Sequence, residues 1–401
     1  MDIQRKIMEK IYNNFSPKIK KRINAAVKEI VRAKEKGEKV VAVLGSGPNL
    51  HEGITVLVAE LIHKGLIDGV STSSAVISHE MAGTLEKVKR IQGRQFGFSP
   101  ERLPADGCLE VSLIPQSRVD SYSREINIDK KLYQKMRRSE GETIIKAAGN
   151  VAYPTGFRTE NLAKEILVLA KRYGLTFERL AGYGADPLTM IGAGTIHDVP
   201  ILVSTPQLVG GGEVGLSIAD SITIRERSLQ LARLIDSASV IIESAIALSQ
   251  EIHDGPFERY TGHGIWADWQ GDWTYSLADK KIIRIDLDSN LERVWSKEQR
   301  TGRVACAVQK GLPKTKFLGV PFRMEMSGFA RIPGSLPIIA DIGAVWPILM
   351  TRVAEDLKIQ LDIISYPQHL PEGQDFREWI VKKVKPIDRA KLLNAIKVLP
   401  G

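Results

Sequence analysis

KVVAVLGSGPNLHEGITVLVAELIHKGLIDGVSTSSAVISHEMAG, residues Lys39–Gly83, is the stretch whose reading decides the fold. It opens on an unbroken apolar run, Val40–Leu44, and breaks into Gly45-Ser46-Gly47-Pro48-Asn49. A short apolar run stopped by glycines is the pattern of a parallel strand buried on both faces. Ile54–His63 follows, with Ile54, Val58, Leu61 and Ile62 on one helical face and Gly65 where a left-handed cap belongs. Leu66–Ser71 resumes as a second strand, and Ser71-Thr72-Ser73-Ser74 sets four hydroxyls at its end. Strand, glycine turn, helix and strand make the crossover unit of a parallel sheet. Backbone N–H groups of such a turn can hold a phosphate, and ligands of these sheets gather at the carboxyl ends of strands. The expected nucleotide contacts on this stretch are therefore Gly45, Ser46, Gly47, Asn49, Ser73 and Ser74. The spacing departs from G-x-G-x-x-G, because the third glycine is Gly53, and a purely structural turn is the competing reading.

A chain of 401 residues has room for two or three domains, or for one large α/β domain with insertions. Its 43% hydrophobic and 26% charged residues are those of a soluble globular protein. No stretch approaches the roughly 20 apolar residues of a bilayer span, and MDIQRKIMEKIYNNF has no apolar signal core. Cys108 and Cys306 give neither metal spacing nor a disulfide framework. A cytoplasmic protein with no membrane partner is expected. The net charge of +9 is spread over helix faces such as 18–22 and 381–385, without a recognition motif, so no nucleic-acid partner is expected.

Outward from the opening stretch, residues 1–38 read as an N-terminal helical segment. Pro17 stands at a helix start, and Ile19, Ile23, Val27, Ile30 and Val31 form one face. This face suits packing on the sheet or on a partner subunit, which makes a homo-oligomer the expected assembly. Residues 39–89 are the first part of a nucleotide-binding core. They end in a short basic helix over Thr84–Arg90. Residues 90–155 are rich in glycine and proline and read as an inserted segment, a lid candidate, with a helix over Lys130–Lys146. Residues 156–401 return to the α/β rhythm, beginning with a helix, Glu160–Tyr173, capped by Thr159. Strands are expected at Val199–Ser204, Val240–Ile242, Lys281–Ile285 and Pro337–Ala340, with helices at Ser221–Ile235 and Ala344–Leu357. Several strands end in carboxylates or hydroxyls, including Glu243-Ser244, Asp286 with Asp288, and Asp341. The fold class is α/β, a doubly wound, mostly parallel, Rossmann-like sheet with insertions.

Between 251 and 279 lies an acidic aromatic segment, EIHDGPFERYTGHGIWADWQGDWTYSLAD. Carboxylates beside aromatic rings suit a cationic amine, through ion pairing and cation–π contact. Asp268, Trp269 and Asp272 are the expected contacts. The competing reading is an aromatic-rich hairpin that packs on the body. His253-Asp254 and His263 with Asp268 match no metal-site spacing, so no metal is expected.

Four segments in order resemble the deoxyhypusine-synthase-like NAD-binding superfamily, and within it the LOR/SDH group of archaeal ornithine cyclodeaminases. Gly45–Asp68 resembles the family's glycine turn, helix and strand entry. Ser73–Glu80, SSAVISHE, is similar to its GNALAVHD stretch, which sets His79-Glu80 on the family's His-Asp pair. Val199–Asp220 resembles the segment that begins VP. Ala340–Pro347, ADIGAVWP, resembles ADASLVFP and TDVGLFLP. The resemblance covers about 200 of the 401 residues. It implies NAD as cofactor and a small cationic amine or amino acid as substrate; from their strand-end positions, Asp286 and Asp288 are either ribose contacts or a turn pair, and Asp341 is either a contact of the nicotinamide ribose or the cap of the next helix. It further implies an imine-forming reaction of the ornithine cyclodeaminase kind, with His79 as general base and Glu80 as its orienting acid.

Two departures limit what is carried over. The catalytic lysine of deoxyhypusine synthase has no counterpart in Ser327–Gly334, where only Arg331 is basic, and arginine is not a usable nucleophile. The acidic DDGP of the cyclodeaminases is replaced by Val209-Gly210-Gly211-Gly212, with Glu213 as the nearest acid and a third catalytic candidate. A regulatory nucleotide-binding protein that kept the fold, or a transferase lacking that lysine, are the alternatives.

Overall fold

The structure, a computed structural model, describes residues 2–149, 151–204, 206–208, 210–244, 277, 279–312, 319–320 and 331–398. Among these, the strands are β1 Lys39–Leu44, β2 Gly69–Thr72, β3 Leu85–Gln92, β4 Cys108–Ser112, β5 Glu142–Ala147, β6 Ile201–Val203, β7 Ala238–Ser244, β8 Lys281–Asp286 and β9 Leu336–Ile339. Six of them form one sheet in the order β6-β2-β1-β7-β8-β9, and every pairing in it is parallel. Helices flank this sheet, giving a Rossmann-like, doubly wound α/β architecture. The other three form a small antiparallel sheet, β4-β3-β5.

The chain divides into two compact units that interleave in sequence. The first comprises Met1–Thr72, His197–Thr205 and Ile224–Pro367, and the second Ser73–Ile196, Pro206–Thr223 and Gln368–Gly401. The parallel sheet belongs to the first. Val40–Leu44 is buried throughout because helices cover both faces. On one side Leu231, Ala232, Leu234 and Ile235 of the helix Ile224–Asp236 pack on Val41, Val43, Ile241 and Ile282. Pro17–Glu35 forms a helix that packs on β1, β9 and the helix Ile342–Asp356. It starts where Ser16 accepts the Ile19 N–H and Pro17 needs no donor, and its Ile19, Ile23, Val27 and Ile30 face is buried.

The second unit holds the antiparallel sheet, and three expectations are corrected there. Thr84–Arg90 is not a helix but the start of the central strand β3. Leu85, Val88 and Ile91 sit three apart and mimic a helical stripe, yet the segment pairs with β4 on one side and β5 on the other. The helix expected over Lys130–Lys146 stops at Arg138, and Glu142–Ala147 is β5. The helix expected from Glu160 begins at Thr155, so Thr159 lies inside it and its hydroxyl bonds the Thr155 carbonyl at 2.9 Å instead of capping.

Trp346 is the largest fully buried side chain described, in a helix whose residues Ile342–Met350 are all buried. Trp346→Ala should lower unfolding stability by about 3–5 kcal/mol, read from the urea midpoint at constant slope. A loss below about 1 kcal/mol would mean that the helix does not anchor this unit.

Candidate functional site

Because the six strands run parallel, all their carboxyl ends share one edge. Numbered within the sheet, their order is 3-2-1-4-5-6, and the direction of winding reverses between β1 and β7, the place where such sheets open a crevice. The glycine turn Gly45-Ser46-Gly47 leaves β1 at that point. Asn49, fully buried, ties the two strand ends together. Its Nδ2 donates to the carbonyls of Gly45 at 2.9 Å and Ser244 at 3.3 Å, and Ser244 Oγ donates to its Oδ1 at 2.7 Å. The Gly45 N–H donates to the Ser244 carbonyl at 3.0 Å. Among the described residues, the next two N–H groups, of Ser46 and Gly47, donate to no protein acceptor. Gly47 has φ +62, and a Cβ built on it would meet nothing within 4 Å. The turn is therefore a glycine-dependent, half-buried element with donors to offer an anion.

Further along the edge the acids are engaged with the protein. Arg284, fully buried in β8, donates from Nη1 to Glu243 Oε2 at 3.1 Å and from Nε and Nη2 to Asp286 Oδ2 at 3.3 Å each. Asp286 Oδ1 accepts the N–H groups of Leu287 and Asp288 at 2.7 and 3.0 Å. Asp341 caps Ile342–Asp356 by accepting the Gly343 N–H at 3.0 Å. A Cβ at Gly343 would fall 2.2 Å from Glu52 Oε2, so the Glu52 carboxylate also lies at this helix start. Both expected ribose acids thus sit at the carboxyl edge and hold its turns in place.

His79, Glu80, Ser73, Ser74 and Glu213 belong to the second unit. The helix there is Ser74–Met81, capped by Ser73, so His79 occupies its last turn. The His79 Nδ1–H donates to the Ala148 carbonyl at 2.7 Å. The Thr84 N–H donates to the His79 carbonyl at 2.7 Å, and the Ala148 N–H to the Thr84 carbonyl at 3.0 Å. His79, Thr84 and Ala148 therefore close a ring of three hydrogen bonds. Thr84 holds it with φ +67, a strained conformation for a β-branched residue. Glu80 does not orient His79 through these bonds. Its carboxyl oxygens accept the N–H groups of Met190 and Ile191 at 2.8 and 3.1 Å, which fixes the start of the helix Met190–His197.

Ser74 Oγ donates to the Gln207 carbonyl at 3.1 Å. Gly211 and Gly215 allow this approach, since Cβ atoms there would fall 2.7 Å from Ser74 Oγ and 1.8 Å from the Gln207 carbonyl. Glu213 lies half-buried in the first turn of the helix Gly212–Ser221. Asp268, Trp269 and Asp272 fall outside the described residues. The sequence reading missed Thr84 and Ala148, whose parts are played by backbone groups and a positive φ. Among the described residues no group of three or more metal-ligating side chains occurs, and no helix is long and apolar enough to cross a membrane.

Burial pushes the carboxyls of Glu80 and Glu243 up to about 7 from an ordinary value of 4.5, against the Met190 and Ile191 N–H groups in one case and Arg284 in the other. The folded chain thus holds protons that the unfolded chain has released in that window. This contribution to stability is complete below about pH 4.5 and is lost as pH rises through about 7. Melts taken from about pH 5 to about pH 8 should show the advantage of wild type over Glu80→Gln shrinking with rising pH. An advantage that grows over the same range would contradict a raised Glu80.

No protein-family model matches the sequence, and no curated protein matches it. Among solved structures, AgrE in a ternary complex with ornithine and NAD+ is similar at 11% identity and TM-score 0.43, covering 86% of this chain and 34% of its own. A conserved putative LOR/SDH protein from Methanococcus maripaludis S2 is similar at 11% identity and TM-score 0.40, over 86% of this chain and 71% of its own. ArgZ, an arginine dihydrolase from the ornithine-ammonia cycle in Cyanobacteria, is similar at 10% identity and TM-score 0.40, over 84% and 33%. The chain spans about a third of the length of AgrE and ArgZ.

Proposed function

We propose that the protein is an NAD-dependent enzyme acting on a small amine or amino acid, by oxidation to an imine followed by elimination or cyclisation. The observation that carries this reading is the strand order 3-2-1-4-5-6 with the glycine turn Gly45–Asn49 at its reversal. The N–H groups of Ser46 and Gly47, which donate to no described protein group, suit the pyrophosphate of a dinucleotide. When bound, NAD supplies a hydride acceptor. Proton movement falls to the chain.

His79, its ring held by the bond from Nδ1–H to the Ala148 carbonyl, is the proposed acceptor of a proton from the substrate. Glu80 is a positioning residue for the helix that follows it in space, and Glu213 is a second acid for the substrate's cationic group. Asp268, Trp269 and Asp272 are supported as further cation contacts by the acidic aromatic composition of their segment alone.

Gly47→Val forces a branched side chain onto a positive φ and into the space beside the turn. NAD titration by calorimetry should show at least a tenfold loss of affinity with the far-ultraviolet spectrum unchanged. Undiminished affinity in the folded variant would remove the turn from the site. His79→Gln should retain NAD affinity and lose about 100- to 10,000-fold in turnover, followed by nicotinamide absorbance with candidate amino acids. Retained turnover would make His79 a structural residue.

A further inference from the structure

A cavity of about 590 Å³ opens on the surface of the second unit. The helix Lys130–Arg138 lines it together with Gln95 and Phe96, which belong to the single 3-10 turn Gly93–Phe96. Its size is that of a small-ligand site. No lining residue is acidic, and three are cations: Lys131, Lys135 and Arg138. Spaced i, i+4 and i+7, they stand in one row along the helix, and all three are exposed.

Like charges at these spacings repel and weaken a helix. The helix, KKLYQKMRR, contains no acid that could offset them. The acid of the preceding helix, Asp120, pairs instead with Lys130, at 2.9 Å. Among the described residues no carboxylate pairs with Lys131, Lys135 or Arg138. The carbonyls at the end of the helix do not need the row either. Lys89 Nζ donates to those of Arg137 and Ser139 at 2.8 and 3.0 Å. The Ser139 N–H donates to that of Lys135 at 3.2 Å, and Ser139 Oγ to that of Met136 at 2.7 Å. On the opposite face Tyr133 and Met136 anchor the helix in the apolar cluster with Ile91, Val111 and Val119. Folding therefore asks for none of the three cations, and they face a cavity without a counter-charge.

One member of the row is held in place by the wall of the cavity. Lys135 Nζ lies 5.6 Å from the centre of the Phe96 ring, a cation–π contact. From Lys131 to Arg138 the helix rises about 10 Å, at about 1.5 Å per residue, more than one phosphoryl group spans. We propose that this cavity binds an oligophosphate of two or three phosphoryl groups, free or carried on a nucleoside, with Lys131, Lys135 and Arg138 as its charge contacts. The ammonium groups act as point charges, and the planar guanidinium takes two phosphoryl oxygens at once. The bound ligand supplies the negative charge that the helix lacks. This site is not the glycine turn Gly45–Asn49, which belongs to the first unit.

The test is calorimetric titration of the full chain with sodium triphosphate, adenosine triphosphate and inorganic phosphate, in magnesium-free buffer at low salt. Triphosphate should bind at least about tenfold more tightly than inorganic phosphate, because it meets more than one charged contact. Lys131→Gln and Lys135→Gln should each weaken triphosphate binding by about three- to tenfold, and the triple variant that adds Arg138→Gln should lose it. Wild-type affinity should fall as salt shortens the screening length. Far-ultraviolet spectra should show every variant folded, and Lys131→Gln should melt no lower than wild type, since it relieves a like-charge pair. Gly47→Val should bind triphosphate as wild type does. Equal affinities for triphosphate and adenosine triphosphate would assign the site to the phosphate chain alone, and tighter binding of the nucleotide to a nucleoside-borne chain; both support the proposal. No triphosphate binding by wild type, or binding undiminished in the folded triple variant, would overturn it. Inorganic phosphate binding as tightly as triphosphate would overturn the oligophosphate class. A single-stranded oligonucleotide that binds while triphosphate does not would overturn it in favour of a nucleic-acid surface.

Discussion

The side chain of Asn49 fixes the place where the parallel sheet changes direction. At that point two strands, β1 and β7, run side by side although about 190 residues separate them in sequence, so no turn links their carboxyl ends. A fully buried amide that donates to both strand ends and accepts from Ser244 supplies the link. Loss of its acceptor or donor would leave buried groups without partners, which costs more than the bonds themselves return. Asn49 ties the turn to the end of β7 from behind, and the Ser46 and Gly47 N–H groups donate to no described protein group.

How much of this the sequence discloses depends on whether side chains or backbone groups do the work. All six parallel strands were legible, because most of them are short apolar runs and each ends in glycine, hydroxyl or carboxylate, although β2 is Gly69-Val70-Ser71-Thr72 and β8 carries the buried Arg284. The antiparallel sheet was not. Its central strand carries Glu86, Lys87, Lys89 and Arg90 among apolar residues three apart, a spacing that reads as helical until its neighbours are known. The pairings that overrule that spacing come from segments about 20 and 55 residues away. His79 was legible as chemistry, but not its surroundings. What orients it is a carbonyl, and what shapes the ring is the φ of Thr84, and neither has a side-chain signature.

Acidic residues at strand ends illustrate the same limit from the opposite direction. Asp286 and Asp341 stand at the carboxyl ends of strands, and sequence position alone makes them ligand candidates. Their hydrogen bonds show a structural duty: Asp286 closes the turn after β8 and neutralises a buried arginine, and Asp341 starts a helix. A carboxylate that already accepts backbone N–H groups is held in one orientation, so any ligand it also meets would find it preorganised and not free to adapt.

Buried polar groups in both units serve chiefly to hold backbone in place. In the first unit the buried charges at the sheet edge are paired: Arg284 with Glu243 and Asp286, Asn49 with Ser244. Such networks rigidify the scaffold and leave recognition to backbone donors. In the second unit Glu86 Oε1 accepts the Gly149 N–H and Arg158 is held by Glu125 and the Ile387 carbonyl. The strained Thr84, the His79 ring and the Glu86 carboxyl all meet the peptide flanked by Ala148 and Gly149. The Ala148 N–H bonds the Thr84 carbonyl, its carbonyl takes the His79 Nδ1–H, and the Gly149 N–H goes to Glu86, so one backbone segment sets the place of both side chains.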